Sequence, residues 1–345
     1  MHLKPATKRG RNTPQRQSGA VLILVLGLVF ACTLMVIAFV QSAMSEIRYA
    51  SQSARTADLR PHAYSALQIT LASLREYELL NAPLYGITAD LENAVDESGI
   101  EFPENIKVSV QVEDCAGKIG IGALTERDDW LDLIEPLQFS IFDLEPLVDS
   151  ILDWMDADDN ARPFGAETSD YVQEDLLFTP PNSPISNLDE LRYVRGCAEF
   201  WYDASGQPGA LPILLKSLLS PYHASPPNIN TAPAAVLQYL TGDADAVQNI
   251  LDFRYGGDAI PATADDRFFE NEGELSRHGV RLVHPCSFQA LNFIINIAIH
   301  SSGAQFKLSA LIGTGSNLTG SEENSAAIHI IQVSEYSGFS KTAAY

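Results

Sequence analysis

The sequence predicts an α+β protein in which a long N-terminal helix packs on an antiparallel sheet and a large helical domain is inserted in that sheet. Three observations carry this expectation. An uncharged apolar run, Ala20–Val40, is followed by helix-forming polar sequence as far as Glu78. Strict apolar alternation, the mark of a half-buried strand, occurs before Asp114 and again after Pro285. Between the two strand regions, from Asp128 to about Gly279, the pattern changes to short helices separated by Pro and Gly. Strands on both sides of a helical stretch imply an insertion into a sheet domain rather than a domain that follows one.

The apolar run comes first in the chain. At 1.5 Å rise per residue it makes a helix of about 31 Å, enough to cross the hydrocarbon core of a bilayer. The leader before it holds Lys4, Lys8, Arg9, Arg11 and Arg16 and no acid. The positive-inside rule keeps that end in the cytoplasm and sends the bulk of the chain across. A secretory signal peptide has an apolar core of only about 7–15 residues, so cleavage near Val40-Gln41-Ser42-Ala43 fits poorly. An ordinary single-pass anchor would satisfy the hydropathy. The position of the run says more: charges stop at Arg16, Gln17-Ser18-Gly19 bridges, and the apolar stretch starts at once at Ala20. One hydrophobic helix beginning directly after Gly19, with polar helical sequence behind it, resembles a type IV pilin signal. From Gln41 to Glu78 there is no Gly and a single Pro, Pro61, which should kink or break the helix.

Composition suits a large exported globular portion. The 345 residues are 46 % hydrophobic, enough for a sizeable core and about two domains. Formal net charge is −22, and removal of the leader with its five basic residues lowers it to −27. So acidic a surface repels nucleic acid and anionic lipid and favours divalent cations or basic partners. Cys32 lies in the membrane segment; Cys115, Cys197 and Cys286 allow at most one intramolecular disulfide, with three possible pairings. An oxidising periplasm would permit such a bond.

In the sheet domain, Ile106, Val108, Val110 and Val112 alternate strictly, and Asp114–Ile121 reads as a turn and a second short strand. Helices are expected at 129–138, 146–155, 188–194, 208–219, 232–239 and 244–253. Strand patterning returns at 293–300 and 305–312, with a last strand at 327–335. The resulting division is a basic leader (1–19), a membrane helix (20–40), its periplasmic continuation (41–78), a first part of the sheet domain (79–127), an acidic helical insert (128–285) and C-terminal strands that complete the sheet (286–345).

The densest chemistry lies in Leu147–Asn160, LVDSILDWMDADDN, followed by ARPFGAETSDY. Helical spacing places Asp153 and Asp156 near a helix C-terminus, where carboxylates oppose the macrodipole and repel one another. A bound cation relieves both costs. Asp156, Asp158, Asn160 and Glu167 stand at relative positions 1, 3, 5 and 12 of an EF-hand loop, but Ala161 replaces the required Gly and Pro163 lies inside. The expectation is a structural calcium site drawn from Asp153, Asp156, Asp158, Asp159, Glu167 and Asp170, set against a merely solvated acidic loop.

A second motif is Pro227-Asn228-Ile229-Asn230-Thr231-Ala232-Pro233-Ala234-Ala235-Val236-Leu237, with a second helix behind it. Asn230 or Thr231 should cap the first helix and Pro233 should sit in its first turn. The pair resembles a helix-hairpin-helix element, which in many proteins presents backbone amides to DNA phosphate. Here Asp243 and Asp245 occupy the hairpin and basic residues are sparse, which argues for a packing unit and against nucleic acid.

Taken in order, the Gly19/Ala20 junction, the helix, DWMDADDNARPFGAETSDY, the segment Ser186–Gly196 (SNLDELRYVRG) and NINTAPAAVL resemble type II secretion system protein K, the large minor pseudopilin. The resemblance spans about residues 16–300. It implies a pilin-like fold with a SAM-like, helix-hairpin-helix-like domain inserted in the sheet and calcium bound there. It implies assembly with the minor pseudopilins I and J at the tip of a periplasmic pseudopilus, on the inner-membrane secretion platform, in support of export of folded proteins across the outer membrane. It also implies removal of residues 1–19 by prepilin peptidase and N-methylation of Ala20, although Ala departs from the aromatic or Met common there in pilins. The expected location is the inner membrane, single pass, with the N-terminus cytoplasmic and the bulk periplasmic.

Pilins in general carry Glu at the fifth mature position, where it neutralises the buried amino terminus of a neighbouring subunit. This chain has Leu24. A subunit with no neighbour above it has no amine to neutralise, so Leu24 and the bulky insert both point to the tip. No nucleophile elbow, P-loop or dinucleotide fingerprint is present, and His278, His284 and Cys286 lack a fourth zinc ligand. The expectation is a structural and interaction protein rather than an enzyme. Two rival readings are a tip minor pilin of a type IV pilus and a membrane-anchored helix-hairpin-helix DNA receptor.

Overall fold

The computed structural model describes residues 18–80, 82–134, 144–301, 304–314 and 328–339. Residues 1–17 of the leader lie outside them. Contacts divide the chain into two units, 1–58 and 59–345.

Helix α1 runs Ser18–Leu79. In the first unit its stretch Val21–Ile47 is long and apolar enough to cross a membrane, and its large side chains are exposed, Leu24 among them. Of the two expected effects of Pro61, a break does not occur: the helix runs on through it. A proline removes only one backbone donor and crowds one carbonyl. Here the turns around it are held by burial: Leu59, Ala63, Ala66, Leu67, Thr70, Leu71 and Leu74 recur on one face and are buried.

In the second unit that face lies in one core with the sheet. Two short helices, α2 (Ala89–Glu92) and α3 (Ala94–Glu97), precede strand β1 (Lys107–Asp114). β1 pairs antiparallel with β4 (Asn292–Ser301), which pairs with β5 (Ala304–Gly313), which pairs with β6 (His329–Phe339), giving the order β1-β4-β5-β6. Alternate residues of β4, Phe293, Ile295, Ile297 and Ile299, turn inward with Phe306, Leu308, Ala310 and Ile312 of β5 to meet the helix. Each such aliphatic side chain contributes about 1.5–3 kcal/mol on burial. Outside the core, Arg60 on α1 grips Glu335 on β6 through Nε (2.9 Å) and Nη2 (2.7 Å), while the Tyr64 hydroxyl donates to the same carboxylate at 2.6 Å. The Arg60 hydrogen bonds hold the Glu335 carboxyl below its ordinary range.

Residues between β1 and β4 form a separate helical core. Its elements are β2 (Ile119–Gly120), α4 (Arg127–Ile134), α5 (Leu144–Met155), α6 (Thr168–Gln173), a 3₁₀ turn (Leu188–Tyr193), α7 (Ala198–Trp201), α8 (Ala210–Leu218), β3 (Leu219–Ser220), α9 (Ala234–Thr241), α10 (Ala244–Arg254) and α11 (Glu272–Arg277). Trp130, Tyr171, Leu215, Leu237 and Phe269 are among its buried members. Two expectations change here. The second short strand does not join the main sheet: Ile119–Gly120 pairs in parallel with Leu219–Ser220. Ile119, Ile121 and Leu124, which precede residue 128, accordingly pack in the helical core. The expected helix 129–138 is described only to Ile134, its remainder lying outside the described residues.

The junction between the two cores is polar and buried. The carboxylate of Asp114, at the end of β1, accepts from Asn228 Nδ2 (2.9 Å), Thr231 Oγ1 (2.6 Å) and the Ala116 N–H (3.0 Å). Burial raises the Asp114 pKa against these bonds, which favour the charged form. Asn228 Nδ2 also donates to the Tyr85 carbonyl at 2.9 Å. Asn230 spans to Phe269 and Phe288, donating to both carbonyls and accepting from the Phe269 N–H. Neither Asn230 nor Thr231 caps α9, as the sequence suggests they should; the N-cap is Pro233, with no side-chain bond. Both side chains are taken by the junction. The four cysteines are free, Cys115 and Cys197 being buried.

Candidate functional site

Helix α5 is amphipathic in an unusual way: Asp149, Ser150 and Asp153 are buried on it together with Val148, Ile151, Leu152 and Trp154. Buried carboxylates need partners. Asp149 receives Arg127, whose Nε lies 2.8 Å from Oδ1 and whose Nη2 bonds Oδ2, and the Phe164 N–H at 3.1 Å. One turn later Asp153 accepts from Arg162 Nη1 (2.6 Å) and from the Arg162 N–H (3.1 Å to Oδ2). The same Nη1 bonds Oδ2 of Asp156, just past the end of α5.

The chain then turns back through Phe164-Gly165-Ala166 and brings Glu167, at the start of α6, onto this group. One carboxylate oxygen each from Asp153, Asp156 and Glu167 lie within 4.8 Å of one another. Gly165 makes the approach possible, since a Cβ there would stand 1.9 Å from Asp153 Oδ2. Glu167 is 2 % exposed; its side chain faces the backbone of Asp170 in a capping box at the start of α6, yet neither carboxylate oxygen has a partner at hydrogen-bond distance among the described residues. Asp156 Oδ1 is likewise buried without a partner. Burial, reinforced by Asp153 and Asp156, pushes the Glu167 pKa up to about 7. Burial also raises that of Asp153, against the pull of Arg162.

Of the six candidate acids the structure brings three together, Asp153, Asp156 and Glu167. Asp158 turns to its own loop, accepting from the Asn160 N–H (2.9 Å) and Nδ2 (2.7 Å). Asp159 accepts from Asn182 Nδ2 at 2.9 Å, and Asp170 accepts from the Glu167 N–H at 2.9 Å. Of the EF-hand-like positions, only Asp156 and Glu167 converge. Sequence reasoning missed Asp149, Arg127 and Arg162. An acid at Asp149, one turn before Asp153 on the same face of an apolar helix, was the available signal.

These donors suit a hard cation: all are oxygens, and three carboxylates against one guanidinium leave two negative charges uncompensated. The orphaned, buried Glu167 carboxylate is the feature that a bound dication would satisfy.

Elsewhere, the hairpin between α9 and α10 turns at Gly242 (φ 65°) and exposes Asp243, the N-cap of α10, and Asp245. His284 stacks on Tyr239 at 3.9 Å, and His278 packs against Phe253 and Phe269. Gly19 and Ala20 lie within α1.

Residues 124–206 match the family model described as type II secretion system (T2SS), protein K. That stretch, 83 of the 345 residues, is similar to the family. The matched stretch runs from just before α4 to the end of α7 and contains every residue of the carboxylate cluster as well as Arg162. Protein K is a structural component of the secretion machinery. Among solved structures the chain is similar to the GspK–GspI–GspJ complex from the enterotoxigenic Escherichia coli type 2 secretion system. That likeness has 18 % identity and a TM-score of 0.49, over 80 % of this chain and 99 % of the other. Comparison with curated protein sequences finds no match.

Proposed function

We propose that this chain is a minor pseudopilin of a type II secretion system, placed at the tip of the pseudopilus, where it assembles with the minor pseudopilins I and J. The protein K match over the insert carries this reading. An apolar helical anchor, a helix-on-sheet domain and an inserted helical head support it. Leu24 supports the tip position, because the helix offers no carboxylate there for the amine of a subunit above. The protein acts by binding and not by catalysis. Its leader is cut between Gly19 and Ala20 by prepilin peptidase, Ala20 is then methylated, and the mature chain sits in the inner membrane on the secretion platform with its bulk in the periplasm.

In the insert, Asp153, Asp156 and Glu167 would hold a calcium ion. Bound there, it would supply a double positive charge to the Glu167 carboxylate, and its ligands come from the end of α5 and the start of α6.

The deciding experiment combines the mass of the N-terminal peptide with recovery of partners. A methylated peptide starting at Ala20, present only in cells with prepilin peptidase, and co-purification of pseudopilins I and J are expected. An intact leader in both strains, or recovery of pilus subunits instead, would overturn the reading.

A further inference from the structure

The carboxylate cluster contains a positive charge of its own. We propose that Arg162 is an internal competitor for the cation: its guanidinium occupies the ligand oxygens in the metal-free protein and withdraws before a divalent ion binds. This rests on the cluster being a cation site, as argued above.

Arg162 sits on two of the carboxylates that a metal would use. Its Nη1 is 2.6 Å from Asp153 Oδ1 and also bonds Asp156 Oδ2, while Asp156 Oδ1 stays buried without a partner. A calcium ion takes oxygens at about 2.3–2.6 Å, so on the same two carboxylates it meets the repulsion of that like charge. The guanidinium is also an incomplete substitute. It leaves both oxygens of Glu167 buried and unpartnered, and one positive charge among three negative ones. A dication can reach the third carboxylate that the guanidinium does not.

The competitor can leave more freely than Asp153 can. The Arg162 side chain is 30 % exposed, whereas that of Asp153 is wholly buried and that of Asp156 is 27 % exposed. The Arg162 backbone N–H donates to Asp153 Oδ2 at 3.1 Å, so the loop stays anchored when the side chain swings to water. In such an arrangement the apparent dissociation constant is the intrinsic one divided by the fraction of molecules in which the guanidinium has withdrawn. Arg162 thereby weakens calcium binding, while it partly replaces the ion in calcium-free protein.

The test is calorimetric calcium titration of the full-length protein in detergent, for the natural chain, Arg162→Gln and Arg162→Lys, with thermal melts in EGTA and in calcium. Arg162→Gln is expected to bind calcium about tenfold more tightly, to melt lower in EGTA, and to gain more from calcium than the natural chain does. Arg162→Lys, which keeps the charge on a mobile stem, is expected between the two. Should Arg162→Gln fail to fold without calcium, the Lys variant decides, by binding more tightly than the natural chain or not. Equal or weaker binding in a folded variant would overturn the competitor role and leave the calcium site standing. No binding by any of the three would remove the site, and the competitor with it.

Discussion

Asp114 and Asn228 stand 114 residues apart in sequence and meet through a 2.9 Å hydrogen bond at the point where the sheet gives way to the insert. Asp114 closes β1 and Asn228 opens the segment that leads into α9. Because Asn228 also donates to the Tyr85 carbonyl and its N–H bonds the Ala116 carbonyl, one residue ties the loop after α1, the end of β1 and the insert together.

Asn228→Ala removes a donor from a buried carboxylate and from a part-buried carbonyl. A loss of about 1–3 kcal/mol is expected from such orphaned groups, read as a lower melting temperature by circular dichroism. Unchanged stability would mean that water replaces the side chain at the junction.

The helix-on-sheet core is expected to depend on Leu67, which is fully buried between α1 and the strands. Leu67→Ala should cost about 2–5 kcal/mol through lost transfer energy and the cavity left behind. Chemical denaturation of the full-length protein would measure it, and a change below about 1 kcal/mol would contradict the packing described.

Chelation should lower the melting temperature of the insert, since an ion that binds only the folded state stabilises it by mass action. A melt unaffected by EGTA would count against the calcium assignment. The pH trend has a definite sign. In calcium-free protein the Glu167 pKa rises from 4.5 to about 7, so the folded state holds a proton that the unfolded state releases. Stability in EGTA should therefore fall as pH climbs from about 4.5 to about 7 and level off above. Asp153, raised in the same direction, adds to the trend, while Arg162 and Asp156 face the same group without reversing it. Calcium affinity should move oppositely, weakening below about pH 7 as protons compete for Glu167.

Gly165→Ala should loosen the site without replacing a ligand. The added methyl would stand 1.9 Å from Asp153 Oδ2, forcing the carboxylate or the turn to shift. Calcium titration is expected to show at least a tenfold loss, on the scale of perturbed supporting contacts. Natural affinity in this variant would show that the turn relaxes elsewhere.

Much of the architecture was legible because its periodicities are clean. The alternation at Val108, Val110 and Val112 and the apolar stripe of α5 follow from whether a side chain faces a core or water, a local property. What escaped depends on distant segments. Ile119 reads as a strand residue of the sheet, yet its partner is Leu219, on the far side of several helices. Asn230 and Thr231 have cap-forming side chains at a helix start, but the junction takes them first. Among the six acids, spacing brought the right stretch forward and could not choose within it. Asp158 and Asp159 satisfy themselves on Asn160 and Asn182, while Arg162, a basic residue in an acidic motif, turned out to share the site.

Asp114 and Phe293 are register partners in neighbouring strands, so the insert leaves and rejoins the sheet within a single strand spacing. While the insert is unfolded, pairing β1 with β4 closes a very long loop, costing about 3 kcal/mol more chain entropy than a tight hairpin does. Once the insert has folded, its two ends already lie side by side and that penalty is gone. The outer strand of the sheet is therefore expected to dock after the head domain has folded.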